Sequence, residues 1–266
     1  MKTFFPIMLI VLAFLSACDT IEQDDFLQGG TNGPVDTTTI IKKVLIEDFT
    51  GFKCKNCPEA AVELHAIENL YEGKIVGIGI HVGFFATPAG SFTTDFRTDA
   101  GEELDAYFSA SLSGLPIGLV NRMGYPNALS QHTDWASTVS DVINQEATVA
   151  ISITDNGSNQ LTVQAKELSN INGNLKLVVC ITEDGIIDNQ IVDDEVVEDY
   201  EHNHVLRTHL NGTWGTNVTL NSDYTSYDFS YTLDDSWQRS NCNAIAYIYN
   251  DSNKEVLQVE KISLTN

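Results

Sequence analysis

Positively charged residues are scarce in this chain of 266 residues. It has 14 Lys and Arg against 37 Asp and Glu, which gives a formal net charge of -23. Binding to nucleic acid needs clustered cations that neutralise phosphates, and anionic lipid headgroups would repel so acidic a surface. We therefore exclude nucleic acid as a partner and interpret the acidity as a source of solubility.

Long hydrophobic runs are also lacking after the first 17 residues. No later segment stays apolar for the 18 or so residues that a membrane-spanning helix needs. The hydrophobic content of 42% is nevertheless ordinary for a globular protein. A chain of this length favours two domains rather than one.

Cysteine is used only five times, at Cys18, Cys54, Cys57, Cys180 and Cys242. A zinc site built on Cys-x-x-Cys needs two such pairs, and the sequence has one. We therefore predict no bound metal and no cofactor.

The N-terminus has the pattern of a secretory signal in residues 1–17. Lys2 precedes an apolar run from Phe4 to Phe14, and small residues follow. Leu15-Ser16-Ala17-Cys18 resembles the lipobox of bacterial lipoproteins, which implies cleavage before Cys18 and a lipid on its thiol. The alternative is an ordinary signal peptide with an incidental cysteine.

Residues 18–39 are predicted to form a flexible tether. They contain acidic residues, glycines and a final run of three threonines, and nothing periodic to bury. Acidic residues soon after the lipidated cysteine resemble the surface-export signals of Bacteroidetes lipoproteins. A merely solvated spacer is the alternative.

Residues 40–146 have the pattern of an α/β domain. A strand is predicted up to Phe49, a helix from Cys57 to Tyr71, and a buried strand from Ile75 to Val82. Cys54 and Cys57 lie between the first strand and the helix. This order favours a redox Cys-x-x-Cys over a zinc site.

Two further motifs resemble those of thioredoxins. Asp48-Phe49 stands six residues before Cys54, where thioredoxins have an Asp-Phe pair, and the segment from Gly114 to Val120 resembles the one that carries their cis-proline. The resemblance implies a thioredoxin-like fold, a role for Asp48 in proton transfer beneath the disulfide, and a cis Pro116 that faces the cysteines.

The spacing also suits thiol chemistry. We expect Cys54 to be exposed at the positive end of the helix dipole, which favours its thiolate. Lys53 and Lys55 flank it and should lower its pKa further. We therefore assign Cys54 as nucleophile and Cys57 as resolving thiol. The alternative is a stable structural Cys54–Cys57 disulfide, since exported proteins occupy an oxidising compartment.

Residues 147–266 are predicted to form an all-β, immunoglobulin-like sandwich. Seven strand-like runs alternate with turn signals. We expect Cys180 to pair with Cys242, because an even number of exported cysteines usually pairs. Two buried free thiols are the alternative.

The segment around His202 and His204 is the most individual part of this second region. A metal site there is conceivable, but the spacing matches no established site, and polar packing is favoured. Asp193-Asp194-Glu195 is interpreted as a solvated acidic loop.

The lipobox, Cys-x-x-Cys-Pro, Gly-Leu-Pro and the later Leu-Asn-Gly-Thr-Trp-Gly motif together resemble the Bacteroidetes family of twenty-eight-kilodalton outer-membrane lipoproteins. That resemblance implies an outer-membrane location, on its periplasmic or its cell-surface face. Our leading hypothesis is a lipid-anchored protein that exchanges disulfides with the thiols of exported proteins. The rival is a non-enzymatic lipoprotein that binds or adheres to surface ligands, with a structural Cys-x-x-Cys.

Overall fold

The computed structural model describes residues 40–264. The signal peptide, the lipid site at Cys18 and the tether lie outside the described residues and stay predictions. Within residues 40–264, no helix is both long and apolar enough to cross a membrane.

The first part of the chain alternates strands and helices. Its elements are β1 (Val44–Thr50), α1 (Cys57–Leu70), β2 (Ile75–His81), α2 (Gly83–Ala86), α3 (Asp99–Phe108), α4 (Ala110–Ser113), β3 (Ile117–Val120), β4 (Leu129–Ser130) and α5 (His132–Val142). The second part is mostly strands. They are β5 (Val149–Asp155), β6 (Gln160–Glu167), β7 (Leu175–Glu183), β8 (Ile186–Val192), β9 (Glu195–His202), β10 (Val205–His209), β11 (Thr216–Val218), β12 (Thr225–Ser230), β13 (Cys242–Asn250) and β14 (Val256–Ser263).

One nine-stranded mixed sheet connects the two parts of the described chain. Its order is β14-β13-β7-β10-β2-β1-β3-β4, and β11 also pairs with β7. β1 is parallel to β2 and antiparallel to β3. β10 joins the parts, because its Val205 pairs with Gly79 of β2. The fold is therefore mixed α/β with a predominance of strands.

Alternation along β1 explains why its residues are buried on both faces. Val44 and Ile46 pack beneath α1 and α5, whereas Leu45 and Phe49 enter the core on the opposite face. Asp48 has the same parity as Ile46, so it lies on the α1 side of the sheet. Parity thus places a carboxyl group beneath the helix that carries Cys57.

The immunoglobulin-like sandwich is not confirmed in its details. A separate three-stranded sheet, β12-β6-β5, packs through residues such as Val163 and Ile151 against one face of β7 and β13. The other face of β7 and β13 packs in the core that the first part also lines. The second region therefore does not form a sandwich of its own, because β7 and β13 are buried on both faces and belong to the sheet that both parts of the chain share. Their nearly continuous apolar runs are typical of strands buried in this way.

Candidate functional site: the Cys54–Cys57 disulfide and its cavity

A disulfide joins Cys54 and Cys57 directly after β1. The two sulfurs are 2.21 Å apart and the two Cα atoms 5.4 Å apart. α1 begins at Cys57, with Pro58 in its first turn, where a missing N–H removes no helical hydrogen bond. The predicted position of both cysteines, between the first strand and the helix that follows it, agrees with the structure.

The disulfide is covered, contrary to the expectation of an exposed Cys54. Both cysteines are only 3% exposed. The β8–β9 hairpin covers the loop: Gln190 Nε2 donates to the carbonyl of Cys54 at 3.0 Å, and the N–H of Ile191 donates to the carbonyl of Phe52 at 2.8 Å. The expectation was wrong because it considered only the helix and not the distant segment that packs upon it.

The two flanking lysines have partners other than the disulfide. Lys53 Nζ lies 4.7 Å from the centroid of the Phe84 ring, a cation–π arrangement. Lys55 Nζ forms an ion pair with Asp194 at 2.9 Å, at the tip of the hairpin. Lys55 therefore helps to hold the cover in place.

Asp48 is a buried carboxyl group without a partner for one of its oxygens. It is 4% exposed, and its Oδ1 accepts no hydrogen bond. Burial raises the pKa of Asp48 to about 7, against a smaller opposing effect of His204. A carboxyl group with this pKa can hold or release a proton near neutral pH.

A cavity of about 480 Å³ lies beside the disulfide. Its lining includes Asp48, Cys57, one face of α1, and residues at the end of β9. His81 also lines it, is 4% exposed, and leaves its Nδ1 without a partner. Burial lowers the pKa of His81 well below its ordinary value. The two buried titratable residues Asp48 and His81 therefore line the same cavity as Cys57.

Glycines in β2 allow the chain at residues 202–204 to approach the sheet. The N–H of Gly79 donates to the carbonyl of His204 at 2.7 Å. A Cβ at Gly77 would lie 2.8 Å from Leu64 Cδ2 and 3.3 Å from the His204 ring. The turn closes one wall of the cavity, and any side chain at Gly77 would push it away.

His202 and His204 do not share a strand face, because a turn separates β9 from β10. Burial lowers the pKa of His202 to about 4. His204 has a positive φ of 60° and contacts Glu68 at 3.2 Å and Asp184 at 3.4 Å through its ring nitrogens. Among residues 40–264, no group of three or more His, Cys, Asp or Glu is arranged to hold a metal ion.

Pro116 follows a cis peptide bond at the start of β3. Ile117, the next residue, pairs with Phe49 near the end of β1. Pro116 therefore lies at the same end of the sheet as the loop that leads from β1 to Cys54. The cis geometry agrees with the expectation drawn from the thioredoxin resemblance.

The expectation of a Cys180–Cys242 disulfide is wrong, since both cysteines are free and buried. Cys180 pairs with Ile245 across β7 and β13. Cys242 is three residues from Ile245, so its side chain points to the opposite face of the sheet. The two thiols accordingly belong to different cores.

Comparison with known proteins places the chain in a family. The family model for outer membrane protein Omp28 matches residues 102–266, which is more than half of the chain. The chain belongs to the Omp28 family. No curated protein matches it in a sequence search.

Solved structures agree with the fold of this Omp28 family member. HBP35 of Porphyromonas gingivalis is 15% identical with a TM-score of 0.66, over 85% of this chain and 76% of that one. An Agrobacterium tumefaciens protein is 15% identical with a TM-score of 0.55, over 85% and 96% of the two chains. At these identities the likeness concerns the fold alone.

Two residues of the site were missed at the level of sequence. Gln190 belongs to a hairpin whose tip is interpreted from the sequence as an acidic loop, and His81 lies within the predicted buried strand from Ile75 to Val82 without a role assigned to it. A signal for the hairpin existed, since Asp193-Asp194 separates two runs rich in β-branched residues.

Proposed function

We propose that this Omp28 family member is a lipid-anchored outer-membrane protein that exchanges disulfides with the thiols of exported proteins through Cys54 and Cys57. The observation that carries the proposal is the disulfide at the start of α1 with the buried Asp48 in the same cavity. Cys18 supplies the anchor, on the periplasmic or the cell-surface face of the membrane.

The topology around the disulfide supports a thioredoxin-like assignment for residues 40–146. β1, α1 and β2 form a parallel unit, and β3 and β4 add antiparallel strands before α5. The remaining part, residues 147–266, supplies the hairpin cover and the three-stranded sheet. We retain this division as part of the proposal.

The exchange is a two-step transfer between sulfurs. A substrate thiolate attacks Sγ of Cys54, the Cys54–Cys57 bond breaks, and the sulfur of Cys57 leaves as a thiolate. A second substrate thiolate then attacks the substrate sulfur of the mixed disulfide and releases Cys54. The substrate loses two electrons and two protons, and the two cysteines gain them.

Asp48 is suited to give the departing sulfur of Cys57 its proton. Both residues line the same cavity, and the pKa of Asp48, raised by burial to about 7, leaves it partly protonated at neutral pH. In the reverse direction the ionised carboxylate takes the proton back.

Trapping tests this proposal. Cys57→Ala leaves Cys54 as a single thiol, which can attack substrate disulfides in the reverse direction but has no Cys57 to resolve the adduct, so mixed disulfides between Cys54 and its substrates should accumulate in cells. Cys54→Ala is the matched control, and it should trap less. Absence of any adduct in the Cys57→Ala strain, with the protein present in the membrane, would contradict the proposal.

A second function has one observation in its favour. Both cysteines are 3% exposed beneath a hydrogen-bonded hairpin, as a structural disulfide in a non-enzymatic surface-binding or adhesion lipoprotein would be. In that case reduction would destabilise the fold, and no substrate would be trapped.

A further inference from the structure

The β8–β9 hairpin is hydrogen-bonded along the Cys-x-x-Cys loop. The contact from Ile191 to Phe52 is a backbone hydrogen bond of the kind that one strand makes to another. Gln190, one residue earlier, reaches the carbonyl of Cys54 with its side chain. Two carbonyls of the loop therefore accept hydrogen bonds from one extended segment.

We propose that the substrate of the exchange is an extended polypeptide segment that displaces β8 and takes its place along Phe52 and Cys54; this inference rests on the proposed function. Main-chain hydrogen bonds to exposed strand edges bind peptides without requiring one particular sequence. With β8 seated, only 3% of Cys54 is exposed, so we expect attack on its sulfur to require the displacement of β8.

Polar contacts attach the tip and one strand of the hairpin to the rest of the described chain. Lys55 pairs with Asp194 at the exposed tip, and Asn189 Nδ2 donates to the carbonyl of Ser91 at 2.7 Å. Ile186 and Ile191 pack against the cluster of Phe52, Phe92, Phe96 and Val205, whereas Ile187 and Val196 are 59% and 47% exposed. Opening the hairpin exchanges its polar contacts for contacts with water and exposes two isoleucines, so it is a local unfolding that leaves the nine-stranded sheet intact.

The charge of the hairpin indicates the partner. Its exposed carboxylates are Asp193, Asp194, Glu195, Glu198, Asp199 and Glu201. A substrate segment flanked by Lys or Arg would be attracted to this surface before it reaches the disulfide. The substrate class is thus an extended, basic, cysteine-containing stretch of an exported protein.

The probe is a peptide with the sequence of β8, Ile186–Val192, flanked by a Lys at each end as the proposed substrate class requires, in which Gln190→Cys places a thiol where the native side chain meets Cys54. Its mixed disulfide with Cys54 is measured by mass spectrometry against time. A scrambled peptide of the same composition is the reference, and small-molecule dithiothreitol reports on the disulfide independently of docking.

Two protein variants complete the test. Gln190→Ala loosens the cover by one hydrogen bond, which should speed the reaction with the β8 peptide roughly threefold to tenfold. Gln164→Ala removes a similar amide hydrogen bond, from β6 to Ser226 on the neighbouring strand β12, and should leave the rate unchanged.

The expected result is a faster reaction with the β8 peptide than with the scrambled one, enhanced by Gln190→Ala. Equal rates for the two peptides, in the native chain and in Gln190→Ala, would overturn the docking edge while leaving disulfide exchange intact. Failure of both peptides and of dithiothreitol to open the disulfide would overturn the exchange function as well.

Discussion

Gln190 and Cys54 are 136 positions apart in the chain, yet the side-chain amide of Gln190 donates a hydrogen bond to the backbone carbonyl of Cys54 at 3.0 Å. Gln190 is 3% exposed, as is Cys54. A hairpin from the second part of the chain therefore contributes to the burial of the cysteine pair, and our proposal predicts that the reactivity of Cys54 depends on how often that hairpin opens.

Asp48→Asn is expected to stabilise the protein at neutral and alkaline pH. The unfolded chain loses this proton near pH 4, whereas burial keeps the folded carboxyl protonated up to about pH 7. Between these values the folded state binds more protons, so wild-type stability falls as pH rises. Denaturant unfolding at pH 4 to 8 measures the effect, which should approach roughly 4 kcal/mol at pH 8.

The exposed carboxylate of Asp223 provides the control for that experiment. Asp223→Asn should leave the pH profile of stability close to that of the wild type. A wild-type profile that stays flat between pH 4 and 7 would contradict the assignment of a buried, protonated Asp48.

Glu47→Gln is expected to destabilise the fold by roughly 3 to 5 kcal/mol, because it leaves a buried guanidinium without its counter-charge. Arg122 is fully buried and donates to both carboxylate oxygens of Glu47, at 2.7 and 2.6 Å. The comparison is Asp95→Asn, which breaks the exposed pair with Arg97. Urea unfolding should show less than about 1 kcal/mol for that variant.

Thiol counting should find two free thiols in a denatured, non-reduced chain in which Cys18 is replaced by Ser. Cys180 and Cys242 supply them, since they point to opposite faces of the sheet. After reduction the count should rise to four as Cys54 and Cys57 open. A count of zero before reduction would show a second disulfide and contradict the strand register.

Cys18→Ala should release the protein from the outer membrane. Lipid on that cysteine is the anchor that the lipobox predicts, and the charge of -23 offers no attraction to anionic headgroups. Membrane fractionation of cells measures the partition. Continued membrane association of Cys18→Ala with a normally cleaved signal would show that another feature holds the chain there.

Local patterns predicted the elements that carry the cysteines. The buried run of β2, the helical spacing after Pro58 and the Gly-Leu-Pro motif all correspond to elements or bonds of the structure. These features depend on residues close together in sequence, where periodicity and backbone preference determine the conformation.

The cover on the disulfide could not be predicted in the same way. Asp193 and Asp194 both adopt positive φ in the turn between β8 and β9. Because Asp tolerates this conformation, the Asp-Asp pair in the sequence could have predicted the turn. The surface on which the hairpin packs could not be predicted from local sequence, because it depends on long-range contacts such as the one between Ile191 and Phe52. The same limitation applies to the faces of Cys180 and Cys242, which alternation alone does not fix.

The reduction potential of the Cys54–Cys57 pair tests the central claim most directly. Equilibration of the purified protein with dithiothreitol buffers of graded ratio, followed by alkylation and mass spectrometry of the peptide that contains both cysteines, gives its value. A protein that exchanges disulfides with exported substrates should show a potential between about -120 and -270 mV, in the range of known oxidoreductases. A value below about -300 mV would identify a structural disulfide and contradict the account.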